Sequence, residues 1–250
     1  MLDFGSYSNM YRDTLLDNVI PFWLKNSPDE AYGGYFTCLD RSGNVFDTDK
    51  FIWLQCREVW CFAMLYNKVE QKNEWLEMAL HGARFLEKYG RDQNGDWYFS
   101  LNREGRPLTQ PYNIFSDCFA AMAFAQLYKA TGEMKYSDIA VETCRKILQR
   151  QFNTKGQYSK AFPGTRPLQG FALPMILINL VLEMEHTLEP ALVEKTIQEG
   201  VDAVMHTFYQ PAMGVILEHV TPDGGFSDSF EGRLINPGHG LESMWFIMDI

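Results

Sequence analysis

Cysteine is scarce and scattered. Cys38, Cys56, Cys61, Cys118 and Cys144 form an odd set with no Cys-x-x-Cys pair, so no disulfide framework is expected. The N-terminus lacks the basic-then-apolar pattern of a signal peptide, and a reducing cytoplasm is the expected compartment. Long apolar runs are missing too. The longest, around Phe171 to Leu182, is interrupted by Pro174 and Asn179 and is too short to span a membrane. Basic charge is in deficit: 22 Lys and Arg stand against 32 Asp and Glu, for a formal charge of −10, which argues against a nucleic-acid groove or an anionic membrane surface as partner. The glycine turns Tyr32-Gly33-Gly34-Tyr35 and Asp223-Gly224-Gly225-Phe226 lack the spacing and the lysine of a phosphate cradle. With no His-x-x-x-His pair and no clustered cysteines, no metal is expected. No Ser-, Gly- or Pro-rich linker divides the chain, and residues 1–250 read as one domain.

What the sequence does have is helical periodicity. Apolar residues recur at helical spacing near 6–25, 52–70, 73–90, 114–131, 134–151, 169–186, 189–208 and 237–250. Between them, Tyr32 to Thr37, Asp96 to Ser100 and Gly214 to Glu218 read as short strands, the first two leading into turns at Ser42-Gly43-Asn44 and Arg103-Glu104-Gly105. The unit of helix, short β segment, inner helix and return helix repeats, with inner helices starting at Ile52, Ile114, Gln169 and Pro237, about every 60 residues. The helix from Ile114 to Ala123 is apolar nearly all round, whereas Met134 to Gln151 alternates charged and apolar faces. Two layers of helices account for that contrast, and the expected fold is an all-α toroid of helical hairpins with short β segments in its loops.

In such a toroid the inner-helix starts converge on one mouth, where Trp53, Gln55, Arg57, Glu58, Ser116, Asp117, Phe171, Met175, His239 and Glu242 would gather. Asn236 suits a helix N-cap and Pro237 the first helical position, which puts His239 near the third. The field of a helix N-terminus disfavours imidazolium, and a neutral histidine can accept a proton from carbon or oxygen. The alternative is a capped helix carrying a hydrogen-bonded core histidine. Arg57 interrupts an apolar, aromatic helix, so its guanidinium must either pair with Glu58 or Asp117 or face the cavity, where its donor fork could bind substrate oxygens. Asp117 alone reads as structural. His81, His186 and His206 fall on outer helices or their ends, where surface placement is expected, while His219 could line the mouth. The carboxylates Glu58, Asp117, Glu218 and Glu242 leave a glycosidase open, since such enzymes pair an acid with a base or nucleophile. The histidine at a helix start favours proton abstraction beside a carbonyl instead.

Six segments together carry a family resemblance: Phe22-Trp23-Leu24, Gly33 to Leu39, Trp53 to Trp60, Phe115 to Phe119, Leu173-Pro174-Met175 and Asn236 to Glu242. In these the chain resembles the N-acyl-D-glucosamine 2-epimerases, also known as renin-binding proteins. The resemblance implies an (α/α)6 toroid of twelve helices and reversible inversion at C2 between N-acyl-D-glucosamine and N-acyl-D-mannosamine, often in sialic-acid metabolism. It implies His239 as one of two catalytic histidines, Arg57 and Glu242 as substrate-site residues, and places Asn236 and Trp53 beside them. It further implies an N-acetylated amino sugar as substrate, no required cofactor, a nucleotide such as ATP as an activator that is not consumed, and a homodimer in some members. Related cellobiose 2-epimerases and sugar isomerases carry an Asn and a His on the third inner helix, where Phe171 to Met175 has neither, which favours the N-acyl sugar branch. Only about eight of the twelve helices are present, and the family's second histidine lies beyond Ile250. The chain therefore reads as a segment of a longer protein, the alternative being an incomplete toroid that exposes apolar surface and needs a partner. Another sugar epimerase or isomerase, an α/α-toroid glycosidase and a non-catalytic binding fragment are the competing readings.

Overall fold

Every stretch with helical spacing becomes a helix in the computed structural model, which describes residues 3–153, 162 and 164–250. These divide into two units, Met1–Glu133 and Met134–Ile250. In the first, α1 (Phe4–Thr14), a π-helical turn (Leu15–Val19) and α2 (Ile20–Asn26) run on without a break. Then follow β1 (Cys38–Leu39), β2 (Val45–Asp47), β3 (Lys50–Phe51), α3 (Ile52–Lys68), α4 (Asn73–Tyr89), β4 (Ser100–Leu101), β5 (Pro107–Thr109) and α5 (Ile114–Thr131). Strands β1 and β2 form a hairpin, and β3, β4 and β5 a three-stranded antiparallel sheet.

Helix α3 packs against both α4 and α5. Helix α4 gives it one apolar face, Trp75, Met78, Ala79, Gly82, Ala83, Phe85 and Leu86, at the spacing of an amphipathic helix. Helix α5 is buried at every position from Ile114 to Leu127 except Phe115. Its ends are set by Asn113, whose side chain accepts from Phe115 N at 3.0 Å, and by Gly132 at φ 73°, a conformation that glycine adopts without steric cost.

The loops that lead into α3 are fixed by a lysine with no contact to solvent. Lys50 Nζ donates to Asp29 Oδ2 at 3.0 Å, to Gly33 O at 2.5 Å and to Arg103 O at 2.9 Å, which uses all three of its protons. It lies 4.4 Å from the centre of the Phe85 ring. Arg103 grips the same carboxylate with two bonds, 2.9 Å to Oδ2 and 3.0 Å to Oδ1. Burial would push the Asp29 carboxyl up, but the bonds from Arg103 and Lys50 and the Lys50 charge outweigh it and hold its pKa at about 2.

The second unit holds α6 (Met134–Arg150), β6 (Gln169–Gly170), α7 (Ala172–Glu183), α8 (Pro190–Asp202) continued by a π-helical segment (Ala203–Phe208), β7 (Tyr209–Gln210), β8 (Val215–Ile216), β9 (His219–Val220) and α9 (Pro237–Met248). Helix α7 packs on α8 and on α9. Gly200 makes the α7–α8 approach possible: a Cβ there would lie 2.5 Å from Ile178 Cγ1.

The expected strands are displaced. Tyr32 to Thr37 is mostly a turn, because Gly33 and Gly34 both take positive φ, and pairing begins only at Cys38, apart from a bridge of Tyr35 to Pro28. The segment from Asp96 pairs from Ser100 onward, with Trp97 bridged to Arg91, and Gly214 at φ 65° precedes the β8 strand. Helix α7 begins three residues after the expected 169, since Gln169 and Gly170 pair with Val220 and His219 instead. No helix among the described residues is long and apolar enough to cross a membrane.

Replacing Asp29 by Asn leaves Lys50 enclosed without its counter-charge and is expected to destabilise the protein by about 3–5 kcal/mol, read from urea denaturation. Because the folded pKa lies below the unfolded value of 3.8, the wild-type contribution is fully present above about pH 4 and is lost as pH falls toward about 2. Asp29→Asn should remove that acid dependence.

Candidate active site

In the first unit the residues of interest sit on the opening turns of α3. Gln55 is buried and structural: its Oε1 accepts from Tyr35 N at 2.8 Å and its Nε2 donates to Tyr35 O at 2.9 Å. Trp53 is half-buried, with its ring 6.2 Å from that of Phe119 on α5. Arg57 is exposed. Its guanidinium carbon lies 4.6 Å from the Phe119 ring centre and 5.8 Å from that of Trp53, and no carboxylate among the described residues pairs with it. Of the two readings, the ion pair with Glu58 or Asp117 is therefore not the one formed. Neighbouring positions on a helix diverge by about 100°, and Glu58 turns toward α2 while Arg57 turns out over the aromatic rings. Such a stacked cation keeps all five N–H donors for a ligand.

Glu58 meets Ser27, the residue that follows α2. The Ser27 hydroxyl lies 2.8 Å from Trp23 O and also touches Glu58 Oε1. One hydroxyl proton cannot serve both acceptors. A protonated Glu58 that donates to Ser27 Oγ, while Ser27 donates to Trp23 O, satisfies all three groups. Burial acts in the same sense and pushes the Glu58 pKa up to about 8, against the bond with Ser27. Burial, and then the Glu58 charge, pushes the nearby Cys61 thiol up to about 11. Asp117 is buried on α5, where its charge adds to burial in raising the Cys56 thiol. Ser116 is buried beside it.

The second unit holds the histidine. Asn236 caps α9, its side chain accepting from Gly238 N at 3.1 Å and His239 N at 3.5 Å. His239 thus occupies the third helical position. Its Nδ1 lies 2.9 Å from Glu218 Oε1. Glu242 stands one turn further along α9 and is half-buried. Phe171 and Met175, at the start of α7, are buried, and the Phe171 ring packs 5.3 Å from that of Phe208. A groove of about 630 Å³ runs along α9, lined by Tyr209, Ile216, Ile235, Pro237, Leu241 and Met244 among others. Asn236 borders it, but neither His239 nor Glu242 does.

Of the other histidines, His81 is not a surface residue: its Nε2 lies 2.9 Å from Gly34 O beneath the glycine turn. His206 is exposed, as expected. His186 borders a second groove with Glu185 and Pro190. His219 pairs with Gly170 across the β6–β9 ladder. The partnership of Glu218 with His239 escaped the sequence reading, which held Glu218 only as one of four loose carboxylates. Its sole local signal was a glutamate at the end of a β segment.

Among the described residues no three His, Cys, Asp or Glu side chains gather as a metal would require. The two glycine turns do not fit a nucleotide phosphate. Gly33 N donates to Asp29 O, Tyr35 N is held by Gln55, and a Cβ at Gly34 would meet Gln55 Oε1 at 2.7 Å. At the other turn, Gly224 N donates to Thr221 O, and the Asp223 carboxylate, bonded to Thr221 Oγ1, faces Gly225. Amides already spent and a like charge both oppose a phosphate.

Comparison with solved structures defines the fold class first. A cellobiose 2-epimerase from Bacillus thermoamylovorans superposes with a TM-score of 0.83 at 20% identity, covering 98% of this chain and 66% of that one. A D-mannose isomerase gives 0.72 at 14% identity, over 91% and 58%. The fold is that of the (α/α)6-toroid sugar epimerases. The particular family follows from sequence: residues 34–250 match the N-acylglucosamine 2-epimerase (GlcNAc 2-epimerase) model, and the chain belongs to that family. The N-acylglucosamine 2-epimerase of Rattus norvegicus is 38% identical over 93% of this chain and 57% of its own length; that of Homo sapiens is 36% identical over 93% and 56%. The chain thus spans just over half the length of these relatives.

A raised carboxyl pKa makes the folded state depend on pH in the opposite sense to Asp29. The contribution of Glu58 is fully present below about pH 4.5, its unfolded value, and is lost as pH rises to about 8. Glu58→Gln, which keeps the neutral shape, should flatten the fall in urea midpoint between pH 5 and pH 9. An undiminished fall would show that another group carries it.

Proposed function

We propose that this chain carries part of the active site of an enzyme that interconverts N-acyl-D-glucosamine and N-acyl-D-mannosamine. The observation that carries the reading is His239: the family's Asn-Pro-Gly-His-Gly-Leu-Glu segment forms a capped helix start that presents an imidazole, in a chain 38% identical to the rat N-acylglucosamine 2-epimerase. In this mechanism the sugar ring opens to expose the C1 aldehyde. His239 then takes the proton from C2, the C–H electron pair moves into a C1–C2 double bond, and the C1 carbonyl oxygen becomes an enolate oxygen, with the acylamino group still on C2. Return of a proton to the opposite face of C2 inverts the centre. Arg57 supplies hydrogen bonds to the sugar or to the enolate oxygen, and Glu242 and Trp53 line the substrate. Inversion needs a second proton carrier, a role the family resemblance gives to a histidine beyond Ile250.

Proton abstraction alone leaves a trace. Incubated with N-acetylmannosamine or N-acetylglucosamine in heavy water, the chain should replace the C2 hydrogen by deuterium, seen as loss of the C2–H signal in proton NMR. His239→Gln should slow that exchange about 10²- to 10⁴-fold, the range for a general base. Arg57→Lys, which loses the planar fork, should weaken it less. No exchange from either sugar would overturn the reading, and exchange that survives His239→Gln would move the base elsewhere.

A further inference from the structure

We propose that Glu218 is the positioning residue of His239, fixing its tautomer so that Nε2 is the atom that takes the proton. This rests on the reading of His239 as the proton carrier. The Glu218 carboxylate lies 2.9 Å from His239 Nδ1, with its side chain 10% exposed against 34% for the imidazole. An ionised carboxylate can only accept a hydrogen bond, so Nδ1 must carry the hydrogen. A neutral ring with its hydrogen on Nδ1 has its lone pair on Nε2, on the side of the ring away from Glu218. The reverse tautomer would set a nitrogen lone pair against a carboxylate oxygen.

The carboxylate is held as firmly as the helix it serves. Glu218 N donates to Leu234 O at 3.2 Å, two residues before the Asn236 cap, and Glu218 O accepts from Phe171 N at 2.9 Å, where α7 begins. One backbone unit therefore ties the entry to α9, the start of α7 and the carboxylate together. His219, next along the chain, extends this hold by pairing with Gly170.

Glu218 also answers the objection raised by the helix itself. The α9 N-terminus presents roughly half a unit of positive charge, which opposes the imidazolium that forms once Nε2 takes the proton. A full negative charge in hydrogen-bonding contact with the same ring opposes that field and stabilises the imidazolium without leaving its place. Glu218 thus offsets the charge that the ring takes on when Nε2 accepts the proton.

The test reads the tautomer directly, in the 250-residue chain labelled with nitrogen-15 histidine at about pH 8.5, where an ordinary imidazole is neutral. Long-range proton–nitrogen correlations separate a ring nitrogen bearing hydrogen from one bearing a lone pair, and His239→Gln assigns the resonances. The expected result is hydrogen on Nδ1 in the wild type and a mixed or reversed pattern in Glu218→Gln, whose amide can turn its NH₂ toward the ring. Hydrogen on Nε2 in the wild type, or an unchanged pattern in Glu218→Gln, would overturn the proposal. This readout needs no turnover, so a failure of the C2 exchange experiment would sink the epimerase reading and leave the tautomer result standing on its own. Where exchange is seen, Glu218→Gln should lower its rate at saturating sugar about 10²-fold or more, with KM nearly unchanged, and Glu218→Asp should recover part of the loss. A loss confined to KM, as a displaced loop would give, counts against the proposal.

Discussion

An ammonium group with no access to water governs the first unit. Lys50 can be buried only if every one of its protons finds an acceptor, and those acceptors come from three separate places: Asp29 after α2, Gly33 in the glycine turn, and Arg103 in the turn between β4 and β5. An unpaired buried charge costs several kcal/mol, so the three loops are held to the positions that satisfy it. Lys50 is also two residues from the first residue of α3. The point at which its ammonium is trapped therefore sets where α3 begins, and with it the places of Trp53 and Arg57. The structure invests its strongest electrostatic contacts in a position that does no chemistry.

The second unit reaches the same end by other means. There the fixing is done by backbone amides: Glu218 bonds to Leu234 on one side and Phe171 on the other, and the β6–β9 ladder carries the hold to His219 and Gly170. Such bonds are individually modest, about 1 kcal/mol each, but they act on consecutive residues and leave the side chains unspent. The contrast extends to the cations. Arg103 is committed to Asp29, whereas Arg57, resting on Trp53 and Phe119, has no anion to satisfy. A cation stacked on aromatic faces is positioned without being neutralised.

The sequence revealed what depends on near neighbours and concealed what depends on distant ones. Helix periodicity is a local property, and the helices around α3, α4, α5 and α9 lie where it places them. The α9 cap is local as well, since Asn236 and His239 are three residues apart. The errors have the same origin. Gln169 and Gly170 fit a helical pattern but are drawn off by Val220 and His219, some fifty residues away, and the Tyr32 to Thr37 strand is undone by two adjacent glycines at positive φ. For Arg57 the sequence left two readings open, a carboxylate partner or an unpaired fork, and it could not choose between them because the ring faces of Trp53 and Phe119 that receive the cation are brought together by the packing of two helices. The partnership of Glu218 with His239 spans 21 residues and a strand, and that of Glu58 with Ser27 spans 31, so neither leaves a pattern in the sequence. Family membership was legible because it rests on motifs rather than contacts.

The burial of Glu58 has an effect beyond its own bonds. It pushes that carboxyl up to about 8, against the bond with Ser27, and so keeps it largely uncharged at neutral pH, one residue from Arg57. Had Glu58 been ionised, its negative charge one residue away would have offset the field of Arg57 even with the two side chains turned apart. With Glu58 neutral, the cation on its aromatic cushion keeps its field toward solvent.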